Sequence, residues 1–311
     1  MNTKKYLVVP LIALLFVGLM FVSGCSKKTT ETTGSAFAGG SRGLDVSFIS
    51  GAPPKEVFEK TGFPISISIE NKGESDVTDA KLYIGGIDVN SFNITQTLPV
   101  SVPILTAVRK SGTTITPGTP QIVTLTSEGY QYDIPGDTDF TMIARVCYPY
   151  STNAIAKACL KENIVKQSIG SEVCEVSGSL NSESSGGPIK ITSVKEVPMG
   201  ESKVGFQITV ENVGGGTPYI GTDCQNLEFT ALNKLIGISG TIAGTAIDCN
   251  TGDDTTSDSG EVYLADGKAT ILFCSYDITG VTSAVEETLT ITTTYNYLSE
   301  AKQSFTVRNI G

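Results

Sequence analysis

The sequence predicts an all-β protein made of two tandem immunoglobulin-like antiparallel β-sandwiches, and two observations support that fold class. Apolar and polar residues alternate with a period of two in four stretches, residues 63–70, 204–210, 269–273 and 288–294. This alternation is typical of strands that bury one face and leave the other in water. Helical spacing of apolar residues is hard to find beyond the first 25 residues, and even residues 154–160 fit a strand as well as a short helix.

The length and composition exclude several classes of function. With 311 residues the chain is long enough for about two domains. It contains no histidine and no tryptophan, which excludes Ser/His and Cys/His catalysis and His-ligated zinc. The formal net charge of −10 argues against a nucleic-acid partner, which requires a basic surface. Paired carboxylates could serve a glycoside hydrolase, but no Trp sugar platform is available, and we predict no enzyme.

The first 25 residues predict export and a lipid anchor. Lys4 and Lys5 precede an apolar run over residues 7–22, which ends at Ser23, Gly24 and Cys25. At 1.5 Å per residue the run spans about 24 Å, less than the roughly 30 Å of a bilayer core. The small residues before Cys25 resemble the lipobox of prokaryotic lipoproteins. We therefore predict a signal peptide at 1–24, lipid on Cys25, and a location on the extracellular face of the cytoplasmic membrane; the alternative is an uncleaved signal anchor with an incidental cysteine.

The rest of the chain divides by composition and by an internal repeat. Residues 25–43 are polar and rich in Gly, Ser and Thr, which predicts a flexible tether. Residues 65–73 match residues 206–214, and in each copy an alternating strand runs into Asn-x-Gly, at Asn71 and Asn212. Short strands are expected upstream of each copy, at 44–48 and 189–194. These features predict domains at 44–172 and 189–311, joined by a Ser/Gly-rich linker at 173–188.

The first of these domains resembles a known family. Residues 70–77, followed by 80–86, are similar to the opening of CARDB domains, the "cell adhesion related domain found in bacteria". Residues 134–137, leading into a strand at 140–147, resemble the closing hairpin entry of that family. Residues 211–216 indicate a second, diverged copy over 189–309. The resemblance implies immunoglobulin-like β-sandwiches of archaeal or bacterial surface proteins, often spacer modules, and it implies no catalytic residues.

The cysteines predict disulfide bonds. With Cys25 assigned to lipid, six of the seven cysteines remain in an exported chain. Cys147 and Cys159 lie at equal distances from Asn153 in the sequence, so a hairpin that turns at Asn153 would place them opposite each other. The predicted pairs are Cys147 with Cys159, Cys249 with Cys274 across the polar loop between them, and, by elimination, Cys174 with Cys224. The alternative, a zinc or iron–sulfur site, lacks both CxxC spacing and histidine.

Two acidic clusters are the remaining candidates for a cation site. One comprises Asp248, Asp253, Asp254, Asp258 and Glu261, and the other Asp133, Asp137 and Asp139. Calcium at Asp253, Asp254 and Asp258 is a weak alternative, because neither cluster has the ligand spacing of an EF-hand and acidic loops are commonly solvated connections. We therefore predict no cofactor and no metal.

Two further features are open to two interpretations each. Asn93 begins an Asn-Ile-Thr sequon, which is a glycosylation acceptor in an exported chain or a chance tripeptide. Tyr148 and Tyr150, on either side of Pro149, are expected to pack across strands rather than to form an exposed contact patch.

These observations together predict a membrane-tethered, non-catalytic surface protein that acts as an adhesion, spacer or envelope-interaction module. Its expected partners are the membrane, through the lipid or a signal anchor, and surface proteins or glycans. One alternative is an extracellular ligand-binding lipoprotein, although such proteins commonly alternate strands with helices and this chain does not. A second alternative is a filament subunit that assembles through exposed strand edges.

Overall fold

The computed structural model describes residues 35–163, 173–176, 178–219, 224, 235–250, 259–264 and 268–310. Every regular element in these ranges is a strand, which confirms the all-β fold class. In chain order the strands are β1 (Leu44–Phe48), β2 (Glu56–Phe58), β3 (Phe63–Asn71), β4 (Ala80–Gly85), β5 (Val100–Val102), β6 (Arg109–Ser111), β7 (Thr114–Thr116), β8 (Gln121–Ser127), β9 (Thr138–Leu160), β10 (Gly178–Ser179), β11 (Ser182–Ser184), β12 (Ile189–Pro198), β13 (Lys203–Asn212), β14 (Thr217–Tyr219), β15 (Leu235–Ile242), β16 (Thr245–Ala246), β17 (Asp248–Asn250), β18 (Ser259–Tyr263), β19 (Ala269–Asp277) and β20 (Val285–Arg308). None of the described residues belongs to a helix that could cross a membrane.

The strands form two small sheets that face one large sheet. The first small sheet has the order β1-β3-β8 and the second the order β10-β12-β13-β19-β17. The large sheet has the order β16-β15-β20-β9-β4-β5, with β2 and β14 also paired to β20, β11 to β9 and β18 to β15. A separate hairpin joins β6 to β7. The pairs are antiparallel except that of β2 with β20.

The centre of the large sheet is the antiparallel pair of β9 and β20, which runs the whole length of the body. Their register extends without interruption from Val285 opposite Leu160 to Val307 opposite Thr138. On its outer sides, the beginning of β9 pairs with β4, and the beginning of β20 pairs with β15. Each long strand therefore starts beside strands of its own repeat and ends beside strands of the other.

The two small sheets cover opposite ends of this pair, and the period-two alternation supplies the core. In β3, Phe63, Ile65, Ile67 and Ile69 are buried, as predicted, and Phe63 contacts Phe305 of β20 with ring centroids 5.7 Å apart. In β13, the predicted inward residues at 204, 206, 208 and 210 are fully buried. These side chains and the inward residues of β9 and β20 form a single buried cluster. One core therefore extends through both halves of the body, the half that contains β3 and the half that contains β13.

The domain organisation differs from the predicted separate units at 44–172 and 189–311. Ser35–Gly311 form one compact unit. The two repeats are recognisable, since β1-β3 and β12-β13 are equivalent antiparallel pairs, but the β9–β20 pair joins them. The predicted linker at 173–188 contains β10, which pairs with β12, and β11, which pairs with β9. Sequence composition alone missed this because short polar strands at a sheet edge have the composition of a linker.

The face of β19 that is buried also differs from the prediction. The alternation of Ala269, Ile271 and Phe273 indicates an inward face there, but Ile271 and Phe273 are 55% and 56% exposed. Leu272 and Cys274 point inward instead. Both faces of this strand carry apolar residues, so periodicity does not determine which face is buried. The outer face of the second small sheet therefore has an apolar pair in water.

Candidate functional site at the waist

The waist is the centre of the β9–β20 pair, residues 148–150 and 295–297, and it is built from four tyrosines. Tyr148 lies opposite Tyr297, and Tyr150 opposite Tyr295. All four are buried, and the ring centroids of neighbouring tyrosines lie 5.8–6.1 Å apart. This confirms cross-strand packing for Tyr148 and Tyr150 rather than an exposed patch. The cluster contributes area burial and edge-to-face contacts at the point where the two halves meet.

The tyrosine hydroxyls bind the two Asn-x-Gly turns of the internal repeat. Asn71 Oδ1 accepts a hydrogen bond from Gly73 N (3.0 Å), and its Nδ2 donates to Ser75 O (2.7 Å). Asn212 makes the equivalent bonds with Gly214 and Gly216. Tyr150 Oη then donates to Asn71 Oδ1 (3.4 Å), and Tyr297 Oη donates to Asn212 Oδ1 (2.7 Å). The repeat seen in the sequence is thus a pair of equivalent turns, each bonded to one of the long strands.

The two glycines are required because a tyrosine hydroxyl occupies the position of a side chain. A Cβ on Gly73 would overlap the hydroxyl of Tyr150, and one on Gly214 would lie 2.7 Å from the hydroxyl of Tyr297. Burial raises the pKa of Tyr148 to about 12 and raises the pKa of Tyr150, Tyr295 and Tyr297 above the usual value. These hydroxyls consequently remain protonated donors at physiological pH.

The end of the predicted tether is docked beside the waist, on Glu74 and Glu183. Ala38 N and Gly39 N donate to the carboxylate of Glu74 at 2.8 and 2.9 Å, and Gly186 N donates to the same group. Ala36 N donates to Glu183. Residues 35–43 therefore form part of the body rather than of the flexible tether predicted over 25–43, and the rest of that predicted tether, 25–34, lies outside the described residues. The carboxylates of Glu74 and Glu183 accept hydrogen bonds from backbone N–H groups that would otherwise bond to water. The polar composition of the segment does not reveal these bonds.

The disulfides confirm one predicted pair and correct two. Cys249 is bonded to Cys274, as predicted, with the Cα atoms 4.0 Å apart on paired strands. The other pairs are Cys147 with Cys224 and Cys159 with Cys174, instead of Cys147 with Cys159 and Cys174 with Cys224. All six cysteines assigned to disulfides are therefore bonded. The pair predicted from the hairpin and the pair predicted by elimination are both wrong.

The hairpin prediction failed because β9 does not turn at Asn153. Asn153 lies in the middle of the 23-residue strand, opposite Thr292, and its Oδ1 accepts a hydrogen bond from Thr292 Oγ1 (2.9 Å). Cys147 and Cys159 are twelve positions apart on one extended strand, or roughly 40 Å at 3.3 Å per residue. Symmetric spacing about an Asn resembles a turn, but the alternation of buried and exposed residues continues through it.

Beside the Cys159–Cys174 disulfide, Glu196 is a fully buried carboxylate that the sequence interpretation missed. Its Oε1 accepts a hydrogen bond from Cys159 N (2.9 Å), whereas Oε2 has no hydrogen-bond partner. Burial raises the pKa of Glu196 to about 7. The register of β12 with β13 shifts between Ile191 and Ser193, and this irregularity changes which residues point inward. A strict period of two from Ile189 and Ile191 would have placed position 196 on the solvent face.

Two clefts flank the waist. The waist cleft has a volume of about 520 Å³ and is lined by Ser75, Asp76, Pro149, Tyr150, Ser151, Tyr219, Ile236, Gly237, Glu261, Thr294, Tyr295 and Asn296. The charged cleft has a volume of about 550 Å³ and contains Arg42, Asp45, Arg145, Glu300 and Lys302 beside Gly214, Gly215 and Gly216. In the charged cleft, Arg42 pairs with Asp45 at 2.8 Å and Arg145 with Glu300 at 2.7 Å. Both arginines are therefore occupied by carboxylates of the same cleft.

The disulfide Cys147–Cys224 fixes one wall of the waist cleft. Tyr219, on β14, pairs with Asn296 of β20. It is buried in a second small apolar cluster with Tyr83, Cys147, Cys224 and Leu298. The bond between Cys147 and Cys224 thus ties Cys224, beyond the end of β14, to β9, and its apolar cluster holds Tyr219 in place.

The acidic residues singled out in the sequence do not converge on one point in the described part of the chain. Asp133 pairs with Lys60, Asp137 pairs with Arg308, and Asp139 accepts a hydrogen bond from Thr306 (2.7 Å). The described residues hold no group of three or more metal-ligating side chains. The weak calcium alternative at Asp253, Asp254 and Asp258 lies outside the described residues, as do the signal peptide and Cys25.

Asn93 is exposed on a turn with φ of 42°, and its Nδ2 donates to Glu128. An exposed turn is accessible to a glycosylating enzyme, so glycosylation of Asn93 stays a prediction.

Comparison with known proteins gives no assignment. No family model matches this chain. No curated protein matches it either. Among solved structures, the secreted serine protease VesC from Vibrio cholerae aligns over 84% of this chain and 51% of that protein, with 7% sequence identity and a TM-score of 0.21. The chain thus spans about half the length of that protein, and a likeness this low supports no conclusion on fold or function.

Proposed function

We propose that this chain is a membrane-tethered, non-catalytic surface protein whose body serves as a rigid spacer or adhesion module. The observation that carries the proposal is the uninterrupted pairing of β9 with β20 through both halves. A strand of 23 residues at about 3.3 Å per residue extends over roughly 75 Å. Movement of one half against the other would break backbone hydrogen bonds at the waist, so the body keeps its binding surfaces at fixed separations.

The attachment to the membrane is proposed to occur through lipid on Cys25. The lipobox-like Ser23-Gly24-Cys25 supports this, and three disulfides are typical of a chain that matures in an oxidising compartment. Because residues 35–43 are docked beside the waist, the chain that follows Cys25 joins the body near its middle rather than at one end.

The resemblance to CARDB domains supports the same class of function. The residues that carry it form the Asn71 turn and the strands that flank it, which position the waist. We propose that both repeats descend from this type of surface module, and that the shared β9–β20 pair has fused them into one body. Surface proteins or glycans would be the partners.

Processing and location of the full chain in a bacterial host with a lipoprotein pathway test the proposal. We expect the wild-type chain to lose residues 1–24, gain the mass of a lipid on Cys25 and fractionate with membranes. It should also be labelled by a membrane-impermeant biotin reagent on intact spheroplasts. Cys25→Ala should abolish the added mass and block removal of residues 1–24, whereas Ser23→Ala, which keeps a small residue, should leave both unchanged. Protein that retains Met1 and carries no added mass would contradict the proposal.

A further inference from the structure

We propose that the waist cleft binds a neutral oligosaccharide, which deepens the proposed surface function by naming a ligand class. The cleft lies across the middle of the β9–β20 pair, and its lining comes from both halves. Ser75 and Asp76 follow the Asn71 turn of the first repeat, whereas Gly237 and Glu261 belong to β15 and β18 of the second. With a volume of about 520 Å³ it falls within the usual range of small-ligand sites.

The polar lining of the cleft consists of hydroxyl, amide and carboxylate groups. Ser151 lies opposite Thr294, and Ser75 Oγ lies 3.1 Å from Ser151 Oγ. Hydroxyl groups both donate and accept hydrogen bonds, so they match the hydroxyls of a sugar in either direction. Pro149 is exposed beside them and provides an apolar surface for the C–H face of a sugar ring.

The charge of the lining argues against an anionic ligand. Asp76 and Glu261 are its ionisable acids, and the lining contains no Lys or Arg. Asp76 is already bound by Ala107 N (2.7 Å) and Arg109, whereas Glu261 is exposed. A carboxylate accepts charge-assisted hydrogen bonds from sugar hydroxyls but repels a carboxylate or phosphate on a ligand. The formal net charge of −10 adds to that repulsion.

The hydroxyl surface continues from the cleft along the outward face of β20. Thr288, Thr290 and Thr292 occupy alternate positions before Thr294, and the residues between them are buried. Thr292 Oγ1 donates to Asn153 Oδ1, and Thr288 Oγ1 accepts from Lys157 Nζ (2.8 Å). A chain of sugars with its first unit in the cleft would find further donors and acceptors along this row.

Gly237 marks the floor of the cleft. A Cβ at this position would lie 2.5 Å from Thr294 Oγ1. The absence of a side chain at Gly237 therefore leaves space for the Thr294 hydroxyl next to β15. Glycine within a strand is unfavourable unless another group must approach the backbone closely. Because Tyr219 is held by the Cys147–Cys224 disulfide and its apolar cluster, the wall opposite is preorganised and little ordering is needed on binding.

Isothermal titration with defined tetrasaccharides tests this inference on the full chain in a zwitterionic detergent that contains no sugar. The neutral probes are β-linked tetramers of glucose, mannose, galactose and N-acetylglucosamine, and the anionic probe is tetragalacturonate. We expect at least one neutral tetramer to bind with a Kd of about 1 mM or tighter, and tetragalacturonate to bind at least about tenfold more weakly. The double change Ser151→Ala with Thr294→Val should weaken the neutral tetramer by about tenfold or more.

Thr124→Val is the matched control, because Thr124 is an exposed threonine on β8, away from the cleft. It should leave the Kd unchanged, and all variants should keep the wild-type melting temperature to within a few degrees. Failure of every neutral tetramer to bind at 5 mM, tighter binding of tetragalacturonate, or an unchanged Kd in the double variant would overturn the inference. None of these results depends on lipidation of Cys25, so the proposed function is tested separately.

Discussion

The buried carboxyl of Glu196 should make the stability of this protein depend on pH in a direction opposite to that of most carboxylates. The pKa of this group is raised from 4.5 to about 7 by burial, while the hydrogen bond from Cys159 N opposes the rise only in part. Each pH unit between the two values corresponds to 1.36 kcal/mol, so deprotonation costs the folded state about 3 kcal/mol. The folded state binds the proton more tightly than the unfolded state. The contribution is therefore fully present below pH 4.5, is lost as pH rises to about 7, and stays lost above that.

Glu196→Gln removes this pH dependence while it retains an acceptor for Cys159 N. Gln resembles the protonated acid, so at pH 4.5 the variant should match the wild type to within about 1 kcal/mol. At pH 8.5 it should be more stable than the wild type by about 3 kcal/mol. Urea unfolding at four pH values from 4.5 to 8.5 measures the difference, and comparison at each pH cancels the contributions of all other groups.

Glu286→Gln is the matched control, because Glu286 lies opposite Cys159 in the register but is exposed. It makes the same change of charge near the same strand end and should give a small difference at every pH. The reasoning about burial would be refuted by a difference between Glu196→Gln and wild type that stays constant from pH 4.5 to 8.5. A wild type more stable than Glu196→Gln at pH 8.5 would refute it as well.

Three further predictions follow from the waist and the disulfides. Gly73→Ala should lower the free energy of unfolding by about 1–3 kcal/mol, because its Cβ overlaps the Tyr150 hydroxyl, whereas Gly136→Ala, with open space around it, should change it little. Stability should fall as pH rises above 10, because the buried tyrosines with raised pKa must ionise on unfolding; pH titration of the melting temperature measures this. Non-reducing peptide mapping should recover the linkages Cys147–Cys224, Cys159–Cys174 and Cys249–Cys274.

Each of these predictions has an outcome that would contradict it. Equal stabilities of Gly73→Ala and Gly136→Ala would mean that the Asn71 turn has room for a side chain. A melting temperature that is level from pH 10 to 12 would place the tyrosine hydroxyls in water. A peptide in which Cys147 is linked to Cys159 would restore the hairpin about Asn153 and exclude the continuous β9.

The local part of this fold could be predicted from the sequence because it depends on neighbouring residues. Period-two alternation identified β3 and β13 together with their inward faces. The Asn-x-Gly repeat identified the two turns, because Asn and Gly are selected by backbone geometry at those positions. The predicted β1 has the same bounds as the observed strand.

The long-range part could not be predicted, because it depends on which strands meet. A 23-residue strand and two shorter ones joined by a turn have the same alternation, so the sequence also fits a hairpin at Asn153. The wrong pair Cys147 with Cys159, and the pair Cys174 with Cys224 left by elimination, follow from that hairpin. The lining of the waist cleft comes from the turn after β3, from β14, β15 and β18, and from both long strands. These residues are far apart in the sequence, and only the pairing of β9 with β20 brings them together.

Hydrogen exchange at the waist tests the central claim, that β9 and β20 unite both repeats in one body. Amide exchange of the peptides covering residues 144–152 and 293–299 should be measured by mass spectrometry on the folded full chain. If the pair is continuous, these amides open only with global unfolding and should exchange as slowly as those of β3 and β13. Exchange at the waist that is faster by about 100-fold or more, with slow exchange on either side, would show two separately folded domains and contradict the claim.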